Sequence, residues 1–170
     1  MDFVLAETKH LEQLCVITEQ AQAQLKGMGV DQWQKGYPNR EVWQKDIAEK
    51  VSYVAVEGDR VMGAFMLLTS DEPSYAEIDG SWLTCTPYAS LHRVCVSNHC
   101  KGSGVAGKMF DFAFKKAKEL GFASMRIDTH HQNTSMLRAI AKAKFTRCGD
   151  IKIVGGSENG DLRVAFEKIL

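Results

Sequence analysis

The stretch with the clearest chemical content is Lys101-Gly102-Ser103-Gly104-Val105-Ala106-Gly107-Lys108. It joins a β-branched apolar run ending near Ser97 to an amphipathic run that begins at Val105. Glycine lets backbone amides approach a ligand with no Cβ in the way. The first turn of a helix offers N–H groups that lack intrahelical partners and carry a partial positive charge. Together they make an anion site suited to phosphate, to which Lys101 and Lys108 can add direct charge. Just upstream, His92 is titratable near neutrality and lies on the strand that feeds this turn.

Two literal patterns compete for the same residues. Gly102-Ser103-Gly104-Val105-Ala106-Gly107 fits GxGxxG, and Asp128 ends the next strand, where the ribose-binding acid of an NAD site would sit. Against a Rossmann-type reading, Ser97 to Lys101 intervene between strand and first glycine, and the remaining ~60 residues are too few for the further strand–helix units that fold needs. Gly102 to Lys108 also has the GxxxxGK spacing of a triphosphatase loop, but Met109 stands where a Ser or Thr would hold magnesium.

The elements that must position the turn follow from periodicity. Phe3–Ala6 reads as an edge strand. Leu11, Leu14, Cys15, Ile17, Ala21 and Leu25 recur at helical spacing between Lys9 and Lys26, with Thr8 as a cap and Gly27 and Gly29 as the end. Asp31–Asn39 combines turn formers with Trp33 and Tyr37, a composition that suits a loop over a pocket or a staple between helix and sheet. Asn39 caps a second helix reaching about Lys50. Ser52–Val56 and Arg60–Thr69 form a hairpin through Glu57-Gly58-Asp59. Residues 70 to 87 are polar and irregular. A long strand follows at Ala89–Ser97, then a helix at Val105–Leu120 turned inward through Met109, Phe112, Ala113 and the stem of Lys116. Ser124–Asp128, Phe145–Val154 and Leu162–Ile169 read as strands, and Asn133–Lys142 as a helix. No repeat or linker divides the chain, so residues 1–170 read as one α/β domain.

Composition narrows the function classes. The chain has 170 residues, 45% of them hydrophobic and 25% charged, as in ordinary soluble domains. With 21 basic and 21 acidic residues the net charge is zero, which removes the electrostatic case for nucleic-acid binding. The five cysteines are scattered without a CxxC pair, so neither a disulfide framework nor a metal site is expected. They read as single buried thiols, with Cys100 beside the glycine turn a candidate for thiol reagents. The start Met-Asp-Phe-Val-Leu-Ala-Glu lacks the basic and apolar regions of a signal peptide, and no run approaches the ~18 apolar residues of a membrane span. A cytoplasmic location and no membrane partner are expected.

Val94-Cys95-Val96-Ser97-Asn98-His99-Cys100-Lys101-Gly102-Ser103-Gly104-Val105-Ala106-Gly107 resembles the acetyl-CoA-binding segment of the GNAT N-acetyltransferases. That family shows a strand ending in Val, a spacer, then Arg/Gln-x-x-Gly-x-Gly/Ala; Lys101, Gly104 and Ala106 fill those places, with Lys for Arg or Gln and Asn98 where Pro is frequent. Asp128 to Met136 is similar to the family's strand-to-helix element, in which an Asn contacts the cofactor arm. Ala143-Lys144-Phe145 resembles its Gly-Phe strand start. With Asp31–Asn39 and Arg163–Lys168, the likeness covers nearly the whole chain in order.

The resemblance implies an acyl-CoA N-acyltransferase fold: a mostly antiparallel sheet splayed between its fourth and fifth strands, helices on both faces, and acetyl-CoA in the gap. Main-chain groups of Val94, Cys95 and Val96 would pair with the pantetheine arm, and one amide would polarise the thioester carbonyl. Amides from Lys101 through Lys108, including Gly102, Ser103, Gly104, Val105, Ala106 and Gly107, would hold the pyrophosphate, and Asn133 the pantetheine. Relatives often carry a Tyr acid seven residues after that Asn; here the position is Ile140. His92 is then the leading base candidate, followed by Glu77 and Tyr88. Trp33, Tyr37, Trp82, Tyr88 and Arg93 are candidates for the acceptor pocket, Arg93 as partner of a substrate carboxylate. The acceptor is expected to be a small-molecule or peptide amine, and a homodimer is expected from the exposed final strands. A CoA-binding module without turnover is the alternative.

Overall fold

Side chains along Ser52–Glu57 (β2) and Arg60–Leu68 (β3) turn to alternate faces of the sheet, interrupted by one bulge where the register shifts between Ala55 and Val56. Val54 and Ala64 pack toward one helical layer, whereas Ala55 and Phe65 pack toward the other. The hairpin turns at Gly58-Asp59, as its sequence predicts. The structure, a computed structural model, describes residues 1–85 and 87–170.

The other elements are β1 (Asp2–Leu5), α1 (Leu11–Gly27), α2 (Arg40–Ala48), β4 (Asp79–Gly80), β5 (Tyr88–Val96), α3 (Val105–Glu119), β6 (Ser124–Thr129), α4 (Thr134–Lys142), β7 (Thr146–Lys152) and β8 (Leu162–Ile169). They form one eight-stranded sheet in the order β1-β2-β3-β5-β6-β8-β7-β4. Every neighbouring pair is antiparallel except β5–β6. One parallel pair joined through α3 is not a doubly wound sheet, so the Rossmann-type alternative is excluded by topology. Met109 is fully buried in the core and unavailable to a magnesium ion, which removes the triphosphatase reading.

The helices cover both faces. Val105, Met109, Phe110, Ala113 and Ala117 of α3 pack with Ile140 of α4 on Phe65, Leu91, Met125 and Ile127. Leu11, Leu14 and Ile17 of α1 and Trp43 of α2 cover the opposite face. The inward stripe of α3 differs from expectation only at its flank: Phe112 is partly buried and Phe110 fully so. Asn39 caps α2 as expected, its side chain accepting from the Val42 amide at 3.1 Å. Thr8 does not cap α1; a 3₁₀ turn at Thr8–His10 precedes it, and the His10 Nδ1 accepts from the Glu7 amide at 3.0 Å. No helix among the described residues is long and apolar enough to cross a membrane.

The irregular stretch after β3 is pinned more firmly than its composition suggests. β4 pairs with β7 so closely that a Cβ on Gly80 would lie 2.1 Å from the Cys148 carbonyl oxygen. Only glycine fits that approach. The pinning matters because the stretch brings Glu72 and Tyr75 to the sheet.

Candidate functional site

β5 and β6 pair only from Tyr88–Leu91 against Ser124–Ile127. Beyond Leu91 and Ile127 the strands part. The cause is a bulge on β5: Met66 of β3 opposes His92 and Ala64 opposes Cys95, so Arg93 and Val94 share one partner position. Arg93 adopts φ 52° there. It is held by Asp46, which accepts from Nε at 2.7 Å and Nη2 at 2.8 Å, and by the Tyr37 hydroxyl on Nη1. A cavity of about 900 Å³ opens along the parted strands.

At one end lies the glycine turn. Asn98–Cys100 form a 3₁₀ turn, and Gly102 and Gly104 take φ 78° and 81°, which L-residues rarely adopt. A Cβ on either glycine would meet no protein atom within 4 Å. The Ser103 amide donates to the Cys100 carbonyl at 3.2 Å, and the Lys108 amide to Gly104 at 3.2 Å. Among the described residues, the amides of Gly102, Gly104, Val105, Ala106 and Gly107 have no backbone acceptor. These five residues line the cavity, as does the exposed Lys101. They form an open row of donors at the start of a 15-residue helix, the arrangement that binds phosphate oxygens. Ser103 and Lys108 are outside the wall, the Ser103 hydroxyl being bonded to the Cys100 carbonyl at 2.6 Å. Cys100 is buried, as is Cys95, whose thiol is pushed up to about 12 by burial. Cys85 is exposed, contrary to the expectation of uniformly buried thiols.

At the other end the wall is made of side chains. Because parallel partners share a face, His92 and Asp128, each one residue past the last β5–β6 pair, project to the same side. His92 Nε2 is 3.4 Å from Glu72 Oε2 but makes no hydrogen bond. Burial pushes the imidazole below its usual value, partly offset by Asp128 and Glu72. The Tyr75 hydroxyl donates to Asp128 Oδ1 at 2.7 Å. Burial raises the Asp128 carboxyl despite nearby His92 and Tyr75, and it raises Tyr75 still further from its own ordinary value. Glu158, Arg163 and Gln32 complete this end.

The candidate residues divide accordingly. Val94, Cys95, Val96, His92, Arg93, Trp33, Tyr37 and Asn133 line the cavity. Trp33 is anchored through its amide, which donates to Glu158 Oε1 at 2.5 Å. Asn133 caps α4 by accepting from the Met136 amide at 3.2 Å, while its Nδ2 donates to Gln32 at 3.3 Å. Arg93 is committed to Asp46 and Tyr37, so it does not offer a free fork to a substrate carboxylate. Tyr88, Trp82 and Glu77 are not brought to the wall. The Arg126 guanidinium lies over the rings of Tyr88 at 3.7 Å and Trp82 at 4.1 Å, and pairs with the fully buried Glu167 at 3.2 Å. Both aromatics thereby serve the sheet. Glu77 is exposed. Asp128, read as a ribose ligand in the dinucleotide pattern, instead faces His92 and Tyr75. Ile140 is buried in the core and offers no proton.

The chain belongs to the GNAT acetyltransferase family: the model of the acetyltransferase (GNAT) family matches residues 18–145. No curated protein matches it. Among solved structures, it is similar to a GNAT-family acetyltransferase from Streptococcus agalactiae at 28% identity and TM-score 0.85, covering 99% of this chain and 95% of that one. A putative acetyltransferase from Staphylococcus aureus shares the fold at 22% identity and TM-score 0.74, with 99% of each chain covered. The PaiA N-acetyltransferase of Thermoplasma acidophilum, solved in complex with coenzyme A, shares it at 16% identity and TM-score 0.71, covering 99% and 98%.

Proposed function

We propose that this acetyltransferase moves an acetyl group from acetyl-CoA directly to a primary amine, with the thioester between the parted strands β5 and β6. One observation carries the reading: the strands part at Leu91 and Ile127, with an open row of amides at one end of the gap and His92, Glu72 and Asp128 at the other. The residues present fit the co-substrate. Amides of Gly102 and Gly104 to Gly107 would hold the pyrophosphate, and Lys101 would add charge. The edge of β5 at Val94, Cys95 and Val96 would take the pantetheine arm as an added strand. Acetyl-CoA supplies the activated acyl group.

The amine must attack as the neutral species. His92 is suited to accept its proton, because burial keeps the imidazole neutral at pH 7. A β5 amide would receive the developing oxyanion. One proton leaves the amine and one joins the CoA thiolate, so the balance closes without a tyrosine at position 140. A second reading, a CoA-binding module without turnover, is motivated by the buried Ile140.

Calorimetry with acetyl-CoA, NAD and ATP–magnesium tests the first half. Micromolar binding of acetyl-CoA alone is expected, and tight binding of NAD instead would sink it. Release of free thiol with a panel of amines tests the second half; acetyl-CoA binding without release from any amine would leave the binding module standing.

A further inference from the structure

We propose that the amine acceptor also carries a carboxylate, and that Arg163 receives it; the inference rests on the acetyl-transfer reading above. One face of the sheet holds a row of polar side chains. Ser90 and His92 on β5 share it with Arg126 and Asp128 on β6, through the pairs Ser90↔Arg126 and Leu91↔Ile127. Arg163, Ala165 and Glu167 on β8 share it through Asp128↔Ala165 and Arg126↔Glu167. Three buried side-chain polar atoms lack a hydrogen-bond partner among the described residues: Ser90 Oγ, His92 Nε2 and Arg163 Nη2. All belong to this row, and His92 and Arg163 line the cavity.

The two cavity atoms ask for opposite chemistry. A neutral imidazole has one nitrogen with a lone pair, which suits an amine N–H; a guanidinium has donors only. The Arg163 side chain is 1% exposed, so an unfilled donor there is costly. Its Nη1 donates to the Leu162 carbonyl at 2.9 Å. Glu158 Oε2 lies 3.2 Å from Nη2 and Asp161 Oδ2 3.8 Å, but neither makes a hydrogen bond to it. Glu158 accepts from the Trp33 amide through its other oxygen, Oε1, and Asp161 holds Lys35 at 2.8 Å. Glu158 Oε2 is thus ion-paired with Nη2 without supplying it a hydrogen bond. A second ammonium on the acceptor, as in a diamine, brings no acceptor to Nη2. A carboxylate does, and it is the group with which a guanidinium pairs best. Asp128 separates the two orphans: Arg163 is two residues along β8 from Ala165, its direct partner. That diagonal, from Asp128 to Arg163, spans roughly 7–8 Å between Cα atoms. His92 lies one strand beyond Asp128, so an acceptor that meets both orphans must reach past Asp128.

The test compares amines with twins that differ only in the carboxylate: amino acids, their carboxamides and their decarboxylated amines. Thiol release is followed with wild type, Arg163→Gln and Arg163→Lys. In parallel, calorimetry measures binding of the same compounds to protein saturated with CoA. The expected result is at least a tenfold preference in kcat/KM for a carboxylate-bearing acceptor over both twins. That preference should collapse in Arg163→Gln and partly survive in Arg163→Lys, with acetyl-CoA affinity unchanged. The twins in wild type decide the matter even if a variant fails to fold. Equal or better turnover of the decarboxylated or carboxamide twins overturns the proposal and leaves acetyl transfer intact. Carboxylate-dependent binding without any turnover does the reverse: it supports the Arg163 subsite and removes acetyl transfer.

Discussion

The two ends of the cavity are built from different materials. The cradle is backbone: amides of Gly102 and Gly104 to Gly107, five positions in the turn and first residues of one helix. The acceptor end is side chain: Glu72, His92, Asp128, Glu158 and Arg163, carried by two loops and three strands. Backbone donors are fixed by secondary structure and indifferent to most substitutions. Side-chain groups are fixed only by packing and by one another, so one substitution alters the chemistry. A family can thus keep one acyl donor while its members take different acceptors.

Substituting His92 should break the comparison most sharply. In His92→Gln, kcat should fall by about 10²–10⁴, the range for losing a positioned base. Acetyl-CoA affinity by calorimetry should be unchanged, because the cradle contains no part of His92. A comparable loss of acetyl-CoA binding would show that the two ends are one unit.

The reciprocal variant is Gly104→Val. Its φ of 81° makes a β-branched residue costly, about 1–2 kcal/mol of stability, yet the new side chain has no protein atom within 4 Å to strike. Acetyl-CoA should bind about 30–100-fold more weakly, equivalent to roughly 2–3 kcal/mol, while kcat at saturating acetyl-CoA stays near wild type. Unchanged affinity would remove the amide row as the pyrophosphate site.

The same contrast explains what could be read in the sequence. Gly102, Gly104 and Gly107 are local, so their spacing announces the cradle, and the hairpin at Gly58-Asp59 is local too. Leu162–Ile169 was readable because a strand's alternation survives burial. At the acceptor end the sequence points to His92, which lines the cavity there, but not to its neighbours Glu72, Glu158 and Arg163. Arg93 meets Asp46 across 47 residues and Tyr37 across 56, and no local pattern tells that its fork is already filled. Tyr88 and Trp82 are drawn away from the cavity by Arg126, another distant partner. One signal was present: Arg163-Ala165-Glu167 places charge, small residue, charge on one face of a buried strand, and such charges need partners. β4 was missed because two residues carry no periodicity; its pairing rests on Gly80 and Gly149.

Proton dependence sharpens the comparison at a smaller scale. The folded-state pKa of His92 is depressed by burial, so the imidazole stays neutral somewhat below the usual 6.5. Its stability contribution is therefore present above pH 6.5 and lost as pH falls through the depressed value, where the unfolded chain takes up the proton first. The acid limb of kcat should lie below pH 6.5 and fall about tenfold per pH unit. It should vanish in His92→Gln, and acetyl-CoA affinity over the same window should change less steeply than kcat. A limb above pH 6.5 that survives in His92→Gln would assign the base elsewhere, with Glu72, Asp128 and Glu158 the remaining carboxylates at that end.

The smallest effect separates charge from backbone within the cradle itself. Lys101 and Lys108 flank the glycines symmetrically in sequence, and both are exposed, but only Lys101 lines the cavity. An exposed ammonium about 4 Å from a phosphate oxygen is worth about 1 kcal/mol in water. Lys101→Ala should thus weaken acetyl-CoA binding only about fivefold, and the difference from wild type should shrink as salt shortens the screening length. Lys108→Ala should leave the affinity unchanged. Calorimetry at low and high ionic strength checks both. A loss of a hundredfold or more in Lys101→Ala would mean that the cofactor is held chiefly by charge. The cradle would then share the acceptor end's dependence on side chains, and the contrast between the two ends would fail.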